Sequence, residues 1–161
     1  MLSCDRRVMS KRNERVPKGN SSGAQKSSLP AICKGATILV VDDDPSVLSA
    51  LARLIRAAGF QVKAFDRPSA LLASEVPTTK ACMIVDVHLP EMNGIELRKA
   101  LAASGRGLAA ILITGRNDAE TQRLIEKAHP VAALFKPVDE QTLLEAVTQA
   151  LTLSNGDRGD Y

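Results

Sequence analysis

Asp42, Asp43 and Asp86 each stand at the end of a short apolar run, Ile38-Leu-Val-Val before the first pair and Ala81-Cys-Met-Ile-Val before the third. Two further runs end in polar groups in the same way, Ile111-Leu-Ile before Thr114 and Val131 to Phe135 before Lys136. Apolar runs of this length bounded by turn residues read as buried strands of a parallel sheet, which places its chemistry beyond the carboxyl ends of its strands. Four strand ends would then bring three carboxylates, a hydroxyl and an ammonium to one spot. Carboxylates a few ångströms apart repel, so either protons or a cation must neutralise them, and a site of few oxygen ligands completed by water suits Mg²⁺. Lys136 and Thr114 add a positive charge and a donor, making an anion pocket beside the metal. Such a site is suited to phosphoryl transfer, where catalysis is mostly positioning and charge stabilisation. Asp86 needs no base to act: an ionised carboxylate can attack phosphorus directly and form an acyl phosphate.

The remaining pattern supplies the elements that would hold these groups. Val47, Leu48, Leu51, Leu54, Ile55 and Ala58 fall on one helical face, with Asp44-Pro45 ahead of them as N-cap and first helical residue and Gly59 behind. Asp44 is therefore read as a cap and not as a ligand. A strand over Gln61 to Phe65, a short helix from Asp66-Arg-Pro-Ser to about Ser74, and the loop Pro77-Thr-Thr-Lys80 lead to the Asp86 strand. A third helix follows from Gly94 to about Ser104, then a strand from Ala109 to Ile113 and a helix from Asn117 to Ala128 whose apolar face (Leu124, Ile125, Ala128) is thin. Val131 to Phe135 forms the fifth strand, and Asp139 to about Leu153 the fifth helix. Strict strand–helix alternation predicts a parallel sheet wrapped by helices on both faces, since parallel neighbours need right-handed crossovers.

Aromatic residues supply only 2% of a chain of 161, so the core must be built from Ala, Leu, Ile and Val. The formal charge of +3 hides an asymmetry. Residues 1–35 carry Arg6, Arg7, Lys11, Arg12, Arg15, Lys18, Lys26 and Lys34 against Asp5 and Glu14, whereas 36–161 hold 13 basic and 16 acidic residues. The expected organisation is a disordered basic extension over 1–35, one globule over 36–153 and a flexible tail over 154–161. An acidic globule with a basic tail differs from a uniformly basic nucleic-acid binder, and the basic extension lacks the interleaved aromatics that base stacking needs, so nucleic-acid binding is not expected. Cys4, Cys33 and Cys82 show neither a metal spacing nor a disulfide frame, which suits a reducing compartment. No run approaches the roughly 20 apolar residues of a membrane span, and no apolar segment follows the basic start as a secretory signal requires. A cytoplasmic location is expected.

These motifs together resemble the receiver domain of two-component response regulators, with a NarL/FixJ-type flavour in Ile111-Leu-Ile-Thr-Gly115. Ile38-Leu-Val-Val-Asp-Asp-Asp-Pro45 is similar to that family's acidic first strand end. Asp86-Val-His-Leu-Pro90 with Asn93-Gly94 is similar to its phosphorylation loop, Thr114-Gly115 to its switch hydroxyl and small residue, and Lys136-Pro137 to its lysine and cis-proline. The resemblance covers about Ala36 to Leu153. It implies a flavodoxin-like (βα)5 doubly wound α/β fold with strand order 2-1-3-4-5. It also implies Asp86 as phospho-acceptor, Asp43 as a direct Mg²⁺ ligand, Asp42 as a ligand largely through water and the backbone carbonyl of His88 as a further ligand. Thr114 would bind a phosphoryl oxygen, and Lys136 would pair with the phosphoryl charge. The implied donor is a phosphohistidine on a sensor histidine kinase or phosphotransfer protein. The output would be a downstream protein or a homodimer, through the face of the fourth helix, fifth strand and fifth helix. His88 and Arg116, each two residues beyond a site residue, are candidates for tuning phosphate lifetime.

One position departs from the pattern. The family usually carries an aromatic three residues before the lysine, and here that residue is Ala133. The expected function is a stand-alone receiver, not an enzyme beyond its own phosphorylation and dephosphorylation. The alternative that Ala133 suggests is a degenerate receiver serving as a phosphorylation-independent scaffold. A true phosphohydrolase would need a second acid/base two residues after Asp86, where His88 stands, and a cap domain.

Overall fold

The computed structural model describes residues 29–156. Five parallel strands, β1 (Thr37–Val41), β2 (Gln61–Phe65), β3 (Ala81–Asp86), β4 (Ala109–Thr114) and β5 (Ala132–Phe135), form one sheet in the order β2-β1-β3-β4-β5. Five helices alternate with them: α1 (Pro45–Ala57), α2 (Pro68–Leu72), α3 (Gly94–Ala103), α4 (Ala119–Ala128) and α5 (Glu140–Gly156). This is the doubly wound flavodoxin-like arrangement.

Two cores result from strand alternation. Ile38 and Val40, with Ile84, Ile111 and Ile113, face α1 and α5 and pack with Leu51, Ile55, Leu143, Val147 and Leu151. Leu39 and Val41, with Met83, Val85 and Leu112, face the other way and pack with Leu71, Leu97 and Leu101. Every residue of β1, β3 and β4 is buried, which is why these three runs are continuously apolar until their final residues. β2 and β5 are edge strands and keep only partial burial.

Local signals set the helix ends. Asp44 Oδ1 accepts from the Ser46 and Val47 N–H groups at 2.8 and 3.3 Å, so Asp44 is the N-cap expected of it, followed by Pro45 at the first helical position. The chain leaves α1 through Gly59 at φ +102°, a conformation open to glycine and costly to other residues. α4 begins at Ala119 behind the cap Asp118, two residues later than the sequence pattern places it.

The folded unit also begins earlier than residue 36. Pro30 leads into a single 3-10 turn, Ala31–Cys33, beside α5, and Cys33 is fully buried with Leu29 and Ile32 packed against the same core. Residues 29–35 of the expected extension therefore belong to the packed chain, because Leu29, Ile32 and Cys33 carry apolar surface to bury. Residues 1–28 lie outside the described residues. At the other end α5 runs on to Gly156, past the expected end near Leu153, and 157–161 lie outside the described residues. Cys33 and Cys82 are free and buried in one cluster, and burial pushes both thiols up, with a Thr148 hydrogen bond partly opposing this at Cys33.

Candidate functional site

Neighbouring strand ends place the charged groups. β1 runs into Asp42, which is fully buried, and the chain turns at once so that Asp42 Oδ1 accepts the Asp44 N–H at 2.9 Å. Asp43 beside it is exposed. Asp86 is the last residue of β3 and only 6% exposed, and its Oδ1 accepts the His88 N–H at 3.0 Å. Thr114 ends β4 at 1% exposure, its Oγ1 accepting the Arg116 N–H at 3.0 Å. Lys136 follows β5, its backbone N–H donating to Thr114 O at 2.9 Å ahead of a cis Lys136–Pro137 bond. Its Nζ lies 2.8 Å from Asp42 Oδ2 and 2.7 Å from Asp86 Oδ2.

The loop after β3 is held against the site from below. Gly94, the first residue of α3, donates its N–H to Val87 O at 3.0 Å, and a β-carbon at Gly94 would collide with the carbonyl oxygen of Asp86. The helix start is fixed by a capping box: Asn93 Oδ1 accepts from Ile95 and Glu96 N–H groups, and Glu96 Oε2 accepts the Asn93 N–H. Asn93 thus positions the loop, and Gly94 allows the helix to approach β3.

Burial raises the Asp86 pKa; the hydrogen bond from Lys136, that from the His88 N–H and the ammonium charge pull the other way without overcoming it, and Asp42 adds to the rise. For Lys136 burial favours the neutral amine, but the bonds to Asp42 and Asp86 outweigh it and hold the ammonium above its ordinary value. The site is thus short of positive charge: one ammonium faces three carboxylates.

One carboxylate oxygen from each of Asp42, Asp43 and Asp86 lies within 4.8 Å of the others. The donors are all hard oxygens, and the carboxylate of Asp43 is open to solvent. These residues fit a small divalent ion such as Mg²⁺.

All of Asp42, Asp43, Asp86, Thr114 and Lys136 therefore come to the edge that the sequence assigns them. The side chains of His88 and Arg116 are engaged with the start of α4: His88 Nε2 lies 3.0 Å from Thr121 Oγ1, and Arg116 Nε lies 3.3 Å from Asp118 Oδ2. Thr121 and Asp118 are partners that the sequence reading does not single out. Thr121 occupies a buried position where the apolar pattern of α4 calls for a hydrophobe, and that mismatch is the signal that marks it.

An α/β sheet with three carboxylates, a lysine and a threonine at the carboxyl ends of its strands is consistent with a phospho-accepting signalling domain. A profile of the response regulator receiver domain matches residues 38–148. The chain is 36% identical over 119 residues to response regulator protein TmoT of Ectopseudomonas mendocina, covering 74% of this chain and 54% of that protein. It is 34% identical over 112 residues to transcriptional regulatory protein FixJ of Azorhizobium caulinodans, covering 70% and 53%. Among solved structures it is similar to response regulator StyR (TM-score 0.68, 39% identity, covering 74% of this chain and 61% of that one). It is likewise similar to FixJ-N (TM-score 0.67, 28% identity, covering 74% and 95%). The chain belongs to the response regulator receiver family. It spans about half the length of the curated relatives it matches. Receiver domains catalyse only their own phosphorylation and dephosphorylation, and histidine kinases or histidine phosphotransfer proteins are the partners of the family. Among the described residues no helix is long and apolar enough to cross a membrane.

Proposed function

We propose that this receiver takes a phosphoryl group onto Asp86 from a phosphohistidine of a sensor kinase or phosphotransfer protein in the cytoplasm. The observation that carries this is the shared ammonium: Lys136 Nζ bonds an oxygen of Asp86 and one of Asp42, so it is already seated where an incoming phosphoryl charge would arrive. An Asp86 oxygen attacks phosphorus, the P–N bond to the donor imidazole breaks, and the leaving nitrogen keeps the electron pair. Lys136 moves from the spent carboxylate oxygen to a phosphoryl oxygen while retaining Asp42. The Thr114 hydroxyl turns its hydrogen from the Arg116 carbonyl, 3.4 Å away, to a second phosphoryl oxygen. Asp42, Asp43, Asp86 and the backbone carbonyl of His88 would hold Mg²⁺, which supplies charge neutralisation for the entering group.

His88 and Arg116 tune the lifetime of the product through the loops that carry them. Output passes to a downstream protein or a second copy through α4, β5 and α5, a face on which Phe135 of the edge strand is 44% exposed. The acidic balance of the folded residues supports protein partners over nucleic acid. The test is incubation with acetyl phosphate. Labelling is expected with Mg²⁺, lost with a chelator and abolished in Asp86→Asn; unchanged labelling of that variant refutes the assignment.

A further inference from the structure

A chain of polar contacts runs from Asp86 to the Thr114 hydroxyl by way of α4. Asp86 Oδ1 accepts the His88 N–H at 3.0 Å, and His88 Nε2 reaches Thr121 Oγ1 at 3.0 Å. The Thr121 N–H donates to Asp118 Oδ1 at 2.8 Å, Asp118 Oδ2 pairs with Arg116 Nε at 3.3 Å, and the Arg116 N–H returns to Thr114 Oγ1 at 3.0 Å. The two ends of the chain lie side by side, since Asp86 is in register with Ile113, the neighbour of Thr114.

α4 depends on these contacts more than an ordinary surface helix would. Thr121 is its only buried residue among the described residues, while Leu124, Ile125 and Ala128 are partly exposed. At the far end a hydrogen bond from Arg98 Nη1 to Ala128 O holds the last turn. A helix with so thin an apolar face has low local stability, so a single polar contact can set how often its first turn opens.

We propose that the hydrogen bond between His88 and Thr121 is a latch that holds the first turn of α4 against the phosphorylation loop, and that phosphorylation of Asp86 releases it. The release rests on the function proposed above. A phosphoryl group on Asp86 alters both ends of the chain at once: it turns the carboxylate oxygen that accepts the His88 N–H into the uncharged carbonyl oxygen of an acyl phosphate, a weaker acceptor, and it recruits the Thr114 hydroxyl that now serves Arg116. His88 and Arg116 then shift relative to α4, and Thr121 and Asp118 lose their partners together. His88 and Thr121 are positioning residues in this scheme, because their side chains act on α4 and not on phosphorus.

Amide hydrogen exchange on the full chain tests the latch, with and without acetyl phosphate and Mg²⁺. Thr121→Val keeps the side-chain shape and removes the hydroxyl. In the unphosphorylated protein it is expected to raise exchange in the first half of α4 about fivefold, the loss of one neutral hydrogen bond, with α1 and α5 unchanged. Phosphorylation should then add little further exchange, whereas it raises exchange in the parent. His88→Ala should behave like Thr121→Val, and His88→Gln, which can place an amide near Nε2, should restore protection. Phosphorylated fractions, read as intact mass on the same samples, should agree within about twofold between parent and Thr121→Val. Parental exchange in unphosphorylated Thr121→Val, or acceleration spread evenly over all helices, overturns the latch. A full phosphorylation response in that variant overturns the release. Absence of a phosphoryl mass in the parent instead defeats the proposed function, and the unphosphorylated samples still decide whether the latch exists.

Discussion

Lys136 Nζ sits 2.7 Å from Asp86 Oδ2, a contact between residues 50 positions apart that the sheet order alone brings together. The same ammonium lies 2.8 Å from Oδ2 of the fully buried Asp42. Removing it leaves a buried carboxylate with no cation. Lys136→Ala is therefore expected to cost about 3 kcal/mol in Mg²⁺-free denaturant unfolding, with part recovered on adding Mg²⁺. Its labelling rate should fall by about 100-fold, the scale of one lost charge-stabilising donor. Parental stability in chelator would show that Lys136 does not hold Asp42.

The raised pKa of Asp86 gives stability a pH dependence of known sign. The folded chain binds this proton more tightly than the unfolded chain does. The contribution of Asp86 to stability therefore falls as pH rises from the ordinary carboxylate value, about 3.9, through the raised folded value, and is level above it. Asp86→Asn has no such group. In metal-free buffer its stability relative to the parent should rise through that window and stay higher at neutral pH, and Mg²⁺ should narrow the difference by stabilising the parent alone. Thermal unfolding across pH checks this; a relative stability that falls with rising pH contradicts it.

Gly94 is a packing requirement of the site. A methyl there meets the Asp86 carbonyl oxygen, a backbone atom that cannot yield without moving β3, and lies 3.1 Å from Val85 Cγ2. Gly94→Ala should cost about 1–3 kcal/mol, the range for overpacking, and reduce labelling at saturating phosphodonor. A stability gain, as expected for a plain Gly→Ala change in an exposed helix, would show that the approach is not tight.

Asp44 caps α1 through its side-chain oxygen. Asp44→Asn should leave Mg²⁺ binding and stability nearly unchanged, and Asp44→Ala should cost about 1 kcal/mol without altering metal affinity. Isothermal titration with Mg²⁺ separates the two roles, since loss of affinity in Asp44→Asn would make it a ligand.

Most of this site is legible in the sequence because it sits on buried strands. A parallel strand covered on both faces must be apolar until it ends, so Asp42, Asp86 and Thr114 announce the ends of β1, β3 and β4 by breaking the run. Edge strands carry a weaker signal, and the apolar run read over Val131 to Phe135 begins one residue ahead of β5. Contacts between loops are a different matter. Nothing in the local pattern around His88 shows that its ring meets Thr121, because that pairing depends on the crossing of α4 over the loop after β3. The burial of Cys33 was hidden for a similar reason: a three-residue turn has no periodicity, and only its packing beside α5 gives Leu29, Ile32 and Cys33 a place in the core.

The position of the acyl phosphate decides the central assignment. After reaction with acetyl phosphate and Mg²⁺, borohydride reduction converts a phosphorylated aspartate to homoserine, and peptide mass spectrometry locates it. Homoserine at position 86, dependent on Mg²⁺ and on Lys136, is the expected result; homoserine at Asp42 or Asp43, or a phosphoryl group found only on serine, threonine or histidine, would contradict it.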